Sequence, residues 1–572
     1  MLWRYLRPQR WRVALSAILL LTTLGLELYA PLILGGFIDG ARAGQALSEL
    51  YGAALTFLGL IVAAQLVSVA TTYQAEIIGW TATNALRHDL TAHLLDLDLG
   101  FHQDHSAGEL IERVDGDVGA LHHFFAQFLI RIVGNALLLL GLLIIVLVQH
   151  WQVGLTLGLF SLFVGAILFR LRHLAVEAIL ADRQLNARLN GFWEERLVAS
   201  ADLRGNGAVE HVLQSQQPLN WQALQLTRKG RNLGWTVHGV YIGLHIIGSA
   251  LIFAVAAALY LRGQATLGSV YLVFHYLGLV VINLRGFVRE LDTLQRATAS
   301  LRRVEALFAR QNRLPAPAKA VAAPPPVDDV LLSFADVTFA YEDRPVLHNL
   351  SFNLAPGEKL ALLGRTGSGK STLARLVFRF YDPQSGQISL HGRPLPQWPL
   401  GELRGRIGLV TQNVELFSAT VRDNVTLFDR RIRDEQIGAA LANLGLGAWL
   451  AALPAGLDTR LGSGGQGLSA GEAQLLALAR LFLQDPALII LDEASARLDP
   501  ISEARLEIAL TQLLAGRAAI IIAHRLQTIR RADRVLILDN GAVVEEGNYQ
   551  ELSGQPDSWL GTLLQQEQER HQ

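Results

Sequence analysis

LALLGRTGSGKST, residues 360–372, is an apolar strand that runs into G-x-x-x-x-G-K-[ST] and then into the helical run LARLVF. Gly364, Gly367 and Gly369 let the chain turn tightly, so that backbone N–H groups of the loop (Arg365, Thr366, Ser368) and the N-terminus of the next helix can cradle phosphate oxygens. Lys370 would reach the terminal phosphates, the Ser371 hydroxyl would ligate Mg2+, and Thr372 follows in the same turn. A glycine-rich turn with a chance lysine is the alternative, and it leaves the flanking strand and helix without a reason.

Working outward, ALIILDEAS (487–495) is a second apolar strand, ending in a carboxylate pair about 120 residues later. Asp492 would complete the metal site, and Glu493 would polarise an attacking water. Taken alone, an acidic pair after a strand is as easily a solvated strand end. Alternating strands and helices make 330–572 an α/β domain. The stretch QNRLPAPAKAVAAPPPVDD (311–329) before it is rich in proline and alanine, lacks an apolar period and is expected to be a linker.

The first 310 residues differ in kind. Hydrophobic residues make up 51% of the chain and charged ones 17%, and apolar runs near 13–38, 53–75, 128–149, 152–172, 234–261 and 268–287 are long enough to cross a bilayer. The first run is too long for a secretory leader and is expected to be a membrane span. Arginines cluster in the two long connections, 80–127 and 173–234, which places those connections, the N-terminus and the α/β domain in the cytoplasm. Helical spacing in LRHDLTAHLLDLDL predicts that the spans continue as helices beyond the membrane, broken by turns near 100–108 and 201–207 whose tips could touch a cytoplasmic domain.

A net charge of −1 gives no case for nucleic-acid binding by a basic surface, and with no cysteine there is no disulfide, thiolate metal site or cysteine nucleophile. Glu27, Arg131, His245, His275, Asn283, Arg285 and Arg289 lie in or near spans, where polar and ionisable groups are costly. Interhelical pairing or snorkelling is the plainer explanation for the arginines; Glu27 and His275 are the better candidates for a substrate cavity.

GLSAGEAQLLALAR (467–480), just before the acidic strand, closely resembles the signature loop of the ATP-binding cassette (ABC) family. Read alone, it is a helix capped by Ser469. The resemblance implies that Leu468, Ser469, Ala470, Gly471 and Glu472 face ATP held by an opposite subunit, at a helix N-terminus suited to anions. It further implies that Tyr341 stacks on adenine, Gln412 senses magnesium, Asp499 communicates across the dimer, and His524 contacts the γ-phosphate and orients Glu493. Weaker patterns extend the likeness to the membrane half: PLILGGFID in the first span, GELIERVDGDV at 108–118 and LDTLQRATASLRRVEALF at 291–308. The expected fold is that of a half-transporter of the type IV ABC exporters: six transmembrane helices with long cytoplasmic extensions, then a P-loop nucleotide-binding domain. It implies ATP, Mg2+ and a second half-transporter as partners, the bacterial inner membrane as the location, and a drug, lipid or peptide of hydrophobic or amphipathic character as substrate. An importer or a non-transporting regulator on the same scaffold stays open.

The chain departs from the family at Ser463, where a glutamate is usual, at Ala470, Glu472 and Ala473 in and after the signature, and at Ser495, Ala496 and Arg497. Most of these belong to surfaces serving the opposite ATP site, while Lys370, Asp492, Glu493 and His524 are retained. A heterodimer is the expectation, with this chain supplying the hydrolytic loop and base, and its partner a better signature.

Overall fold

Apolar segments in lipid must satisfy their backbone groups internally, and the first part of the chain is helical accordingly. Its long helices are α1 (Arg10–Arg42), α2 (Leu47–Asp96), α4 (Ala107–Gln149, with π-helical turns at Glu112–Asp117 and Phe128–Gly134), α5 (Trp151–Val198), α6 (Val209–Leu261) and α7 (Leu267–Phe308). At 50 residues, α2 is about 75 Å long. That is more than twice the thickness of a bilayer core, so α2 continues well beyond it. Threonine and serine hydroxyls inside the helices donate to carbonyls one turn back, as Thr23 does to Leu19, Thr71 to Val67 and Ser161 to Leu157.

The structure is a computed structural model that describes residues 1–314, 329–410, 414–462, 467–492, 500–522, 529–555 and 557–562. Among these, five helices are long and apolar enough to span a membrane; the apolar stretch Trp151–Ile167 of α5 is shorter. The chain divides into two units, Met1–Asp96 with Ser106–Gln311, and Leu97–His105 with Asn312–Gln572.

In the helical unit, Leu20, Leu138, Leu142, Leu157, Ile252, Tyr276 and Val280 form the buried core, and the Tyr276 hydroxyl donates to the Leu28 carbonyl at 2.9 Å. Toward both of its ends, α7 also meets other helices. Near its start, a Cβ on Gly268 would lie 2.1 Å from the Gly35 carbonyl, so α1 and α7 touch backbone to backbone there. Beside that crossing, the Asp39 carboxylate accepts from the Gly268 N–H at 2.8 Å. Near the other end of α7, buried Asp117 of α4 accepts from the Ser300 hydroxyl (2.9 Å) and from both Nε (2.9 Å) and Nη2 of Arg303.

The second unit holds the sheets. β3 (Lys359–Gly364) is central in a six-stranded sheet of order β10-β9-β3-β8-β7-β6, where β6 is Ile407–Val410, β7 Leu488–Asp492, β8 Ala518–Ile522, β9 Arg534–Asp539 and β10 Ala542–Asn548. All neighbours are parallel except β9 and β10. Inner strands such as β8, AAIII, are buried along their whole length, as sheets covered on both faces require. A four-stranded antiparallel sheet has the order β2-β1-β4-β5, where β1 is Leu332–Tyr341, β2 Arg344–Leu354, β4 Ser385–Leu390 and β5 Arg393–Pro394. A short helix, α3 (Leu99–Asp104), belongs to this unit: Asp98 caps it, accepting from Phe101 N–H with one oxygen and from Arg313 N–H with the other, both at 3.1 Å.

Candidate nucleotide site and membrane cavity

The loop after β3 leads into α8 (Lys370–Val377) and has a backbone that only glycine tolerates. Gly364, Gly367 and Gly369 have φ of +144°, +87° and +104°. A Cβ at Gly364 would meet the Leu538 carbonyl at 2.1 Å, and one at Gly369 the Leu347 side chain at 2.5 Å. Lys370 is buried at the start of α8, its ammonium donating to the Gly364 and Arg365 carbonyls at 2.7 and 2.9 Å. Beside it the buried Ser368 hydroxyl has no hydrogen-bond partner among the described residues. An orphaned hydroxyl, a buried ammonium and a helix N-terminus together form a receptor for phosphate oxygens.

Tyr341 lines the same cavity of about 530 Å³, together with Thr366, Gly367, Gly369, Lys370, Ser371 and Thr372. Its ring packs edge-on against Phe339 (4.9 Å, 88°) and Tyr381 (5.2 Å, 89°). Its hydroxyl accepts from Arg375 at 3.0 Å. Three further polar residues of the wall, Arg344, His348 and Asn540, escaped the sequence analysis. Arg344 follows Tyr341 across a hairpin turn. Asn540 sits in the β9–β10 turn, held close because the His348 N–H donates to the Gly541 carbonyl at 2.9 Å. Asn-Gly is a readable turn signal, but its nearness to the phosphate loop is a tertiary fact.

Asp492 ends β7 and pairs with Ile522 of β8, which pairs in turn with Leu362 of β3. This register puts Asp492 on the same sheet edge as the phosphate loop. Carboxylate and hydroxyl oxygens are the donors a hard divalent cation takes, so Asp492 and Ser371 suit magnesium chemically. Gln412, Glu493, Asp499 and His524 lie outside the described residues, as do Ser463 and 495–497.

The signature stretch opens α9 (Ala470–Gln484). Ser469 caps it through a reciprocal box: its hydroxyl accepts from Glu472 N–H (3.2 Å), while its own N–H (2.8 Å) and hydroxyl (2.9 Å) donate to Glu472 Oε2. Gly471 is required by close packing, since a Cβ there would lie 2.6 Å from Ser502 Cβ on α10 (Pro500–Leu514). Leu468 packs against the core of the α/β unit.

In the helical unit, Glu27 and His275 line one cavity of about 500 Å³ between α1, α2, α4 and α7. Arg131 does not reach it and instead donates to Glu290 at 2.8 Å, the interhelical pairing that its position near a span end suggested. The side chains of Arg285 and Arg289 are outside the described ones.

Two family models match the chain: ABC transporter over residues 347–496, and ABC transporter transmembrane region over 13–192. The uncharacterized ABC transporter ATP-binding protein YknV of Bacillus subtilis is 30% identical, over 99% of this chain and 94% of that protein. The chain belongs to the ABC transporter family. Other relatives of this ABC transporter include the ATP-dependent lipid A-core flippase of Burkholderia thailandensis, 29% identical over 96% of this chain and 92% of that protein. The probable multidrug resistance ABC transporter ATP-binding/permease protein YheH of Bacillus subtilis is 30% identical, over 82% and 69%. A solved structure, of a bacterial Atm1-family ABC exporter with ATP bound, superposes with a TM-score of 0.79 at 25% identity, covering 98% of both chains. The chain is therefore an ABC exporter half-transporter of the inner membrane, with an ATP-binding domain whose hydrolysis is coupled to transport.

Proposed function

We propose that this half-transporter drives efflux of a hydrophobic or amphipathic compound by alternating access, hydrolysing ATP held between two cassettes. The observation that carries it is the nucleotide cavity, in which the buried Lys370 ammonium, the unsatisfied Ser368 hydroxyl and Tyr341 converge. Lys370 would exchange its loop carbonyls for phosphate oxygens, Tyr341 would hold the base, and Ser371, Asp492 and Gln412 would hold magnesium, which neutralises phosphate charge. Glu493 would take the proton of the attacking water, with His524 positioning it. Leu468, Ser469, Ala470, Gly471 and Glu472 with Asp499 would face the nucleotide of the opposite subunit. Closing two cassettes on shared nucleotides would move the long helices and turn a cavity from one side of the bilayer to the other.

A heterodimer is the favoured assembly, because the departures at Ala470, Glu472 and Ala473 fall on the surface serving the other subunit while Lys370 and Asp492 are retained. ATP-dependent accumulation of a fluorescent amphiphile in inside-out vesicles tests the reading. Accumulation that disappears with Lys370→Ala is expected. ATP-driven movement in the opposite direction would make the protein an importer, and ATP turnover without any movement would make it a regulator.

A further inference from the structure

The membrane cavity has a charge pattern that says which amphiphiles it takes. Its walls are largely aliphatic, with Phe57 and Tyr271 as aromatic faces and Gln65, Asn135 and Asn283 as amides. Among the described residues lining it there is no lysine or arginine, and the one carboxylate is Glu27. Glu27 projects from the middle of α1, more than ten residues from either limit of the apolar run, where an ionised group has little water to fall back on.

Carboxylates at membrane depth are ordinarily paired, and even those beyond the span ends of this unit find partners: Glu290 with Arg131, Asp117 with Arg303, and Asp39 with the Gly268 N–H. Glu27 makes no hydrogen bond or ion pair among the described residues. His275, the other titratable group on the wall besides Tyr271, makes no ion pair with it; its ring lies against Tyr271 instead, centroids 5.9 Å apart at 26°. A carboxylate that opens into an apolar cavity of drug-like size, with no counter-ion among the described residues, is complementary to a cation carrying its own apolar body. The aromatic faces add to this, since ring quadrupoles attract cations.

We propose that this cavity binds lipophilic organic cations, with Glu27 as the counter-ion that selects them against anions of the same shape. The proposal rests on the efflux reading only for what happens after binding; recognition itself needs no nucleotide. Tetraphenylphosphonium and tetraphenylborate, nearly identical in shape and opposite in charge, are the probes. Binding of each to the purified, assembled full-length transporter in nanodiscs is measured without ATP by equilibrium dialysis, with empty nanodiscs subtracted.

The expected result is saturable binding of tetraphenylphosphonium in preference to tetraphenylborate. Glu27→Gln should weaken the cation roughly tenfold or more and erase the preference, and Glu27→Asp should retain it. The ratio of the two affinities is the readout, because partial loss of folded protein lowers both ions alike and leaves the ratio unmoved. Equal affinity for the two ions in the parent, or an unchanged ratio in Glu27→Gln, overturns the proposal. If vesicle transport and its dependence on Lys370 hold while the ratio test fails, the cavity assignment falls and the efflux reading stands.

Discussion

At the scale of single residues, the signature serine is already engaged. The Ser469 hydroxyl has one proton, and that proton points at Glu472 Oε2 rather than outward. A carboxylate at this N-terminus is good for the helix, because it satisfies free N–H groups and complements the positive end of the dipole. The same negative charge opposes a phosphate approaching that end. Glu472→Gln is therefore expected to raise the ATPase rate of the assembled transporter several-fold. A malachite-green phosphate assay checks this, and a lower rate would mean that the cap matters more than the charge. Lys370→Ala is expected to abolish nucleotide binding, read by retention of a fluorescent ATP analogue.

At the scale of elements, two contacts carry expectations. Tyr381 stands edge-on to Tyr341 at the nucleotide cavity, and its hydroxyl donates to Gln103 of α3 at 2.9 Å. Burial raises its pKa, with Tyr341 adding to the effect, so it stays a neutral donor at physiological pH. Tyr381→Phe keeps the ring and removes the donor. About 1 kcal/mol of stability should be lost, and stimulation of ATP turnover by transported compound should fall while ATP affinity holds; titration of ATPase rate against compound separates the two.

Asp117 lies eleven residues before the apolar run that starts at 128, on the cytoplasmic side. Burial alone would raise its pKa, but hydrogen bonds from Arg303, Ser300 and Arg113 hold it below the usual carboxylate value. A depressed pKa contributes stability above the unfolded value of about 3.9, lost as pH falls through the folded one. Asp117→Asn should lower stability by roughly 1–3 kcal/mol at neutral pH, with the gap to the parent closing in acid. Melting followed by intrinsic tryptophan fluorescence across a pH series checks this, and a gap that persists at low pH would rule out the charge as its source.

At the scale of the whole molecule, the two-part architecture and the phosphate loop were legible in the sequence because each rests on local chemistry. A run of apolar residues must be helical in lipid, and Gly364, Gly367 and Gly369 occupy backbone conformations other residues avoid. The three weaker stretches of the membrane half were recognisable only as patterns. Their physical sense needs the third dimension: Gly35 and Asp39 of PLILGGFID meet Gly268, and Asp117 of GELIERVDGDV meets Ser300 and Arg303 of the last stretch. Helix packing pairs residues 183 to 233 positions apart, a separation no local period encodes. Arg344, His348 and Asn540 escaped notice for the same reason.

The central claim is that nucleotide at the Lys370 loop moves helices that cross the bilayer. The chain has no cysteine, so introduced ones report alone. Spin labels at Ala46→Cys and Gln264→Cys sit on exposed turns next to the α1–α7 contact at Gly35 and Gly268. The distance between them, measured by double electron–electron resonance in the assembled transporter in nanodiscs, is expected to shift on adding Mg-ATP with vanadate, and not to shift when Lys370→Ala is also present. An unchanged distance, or the same shift in the Lys370 variant, would contradict the account.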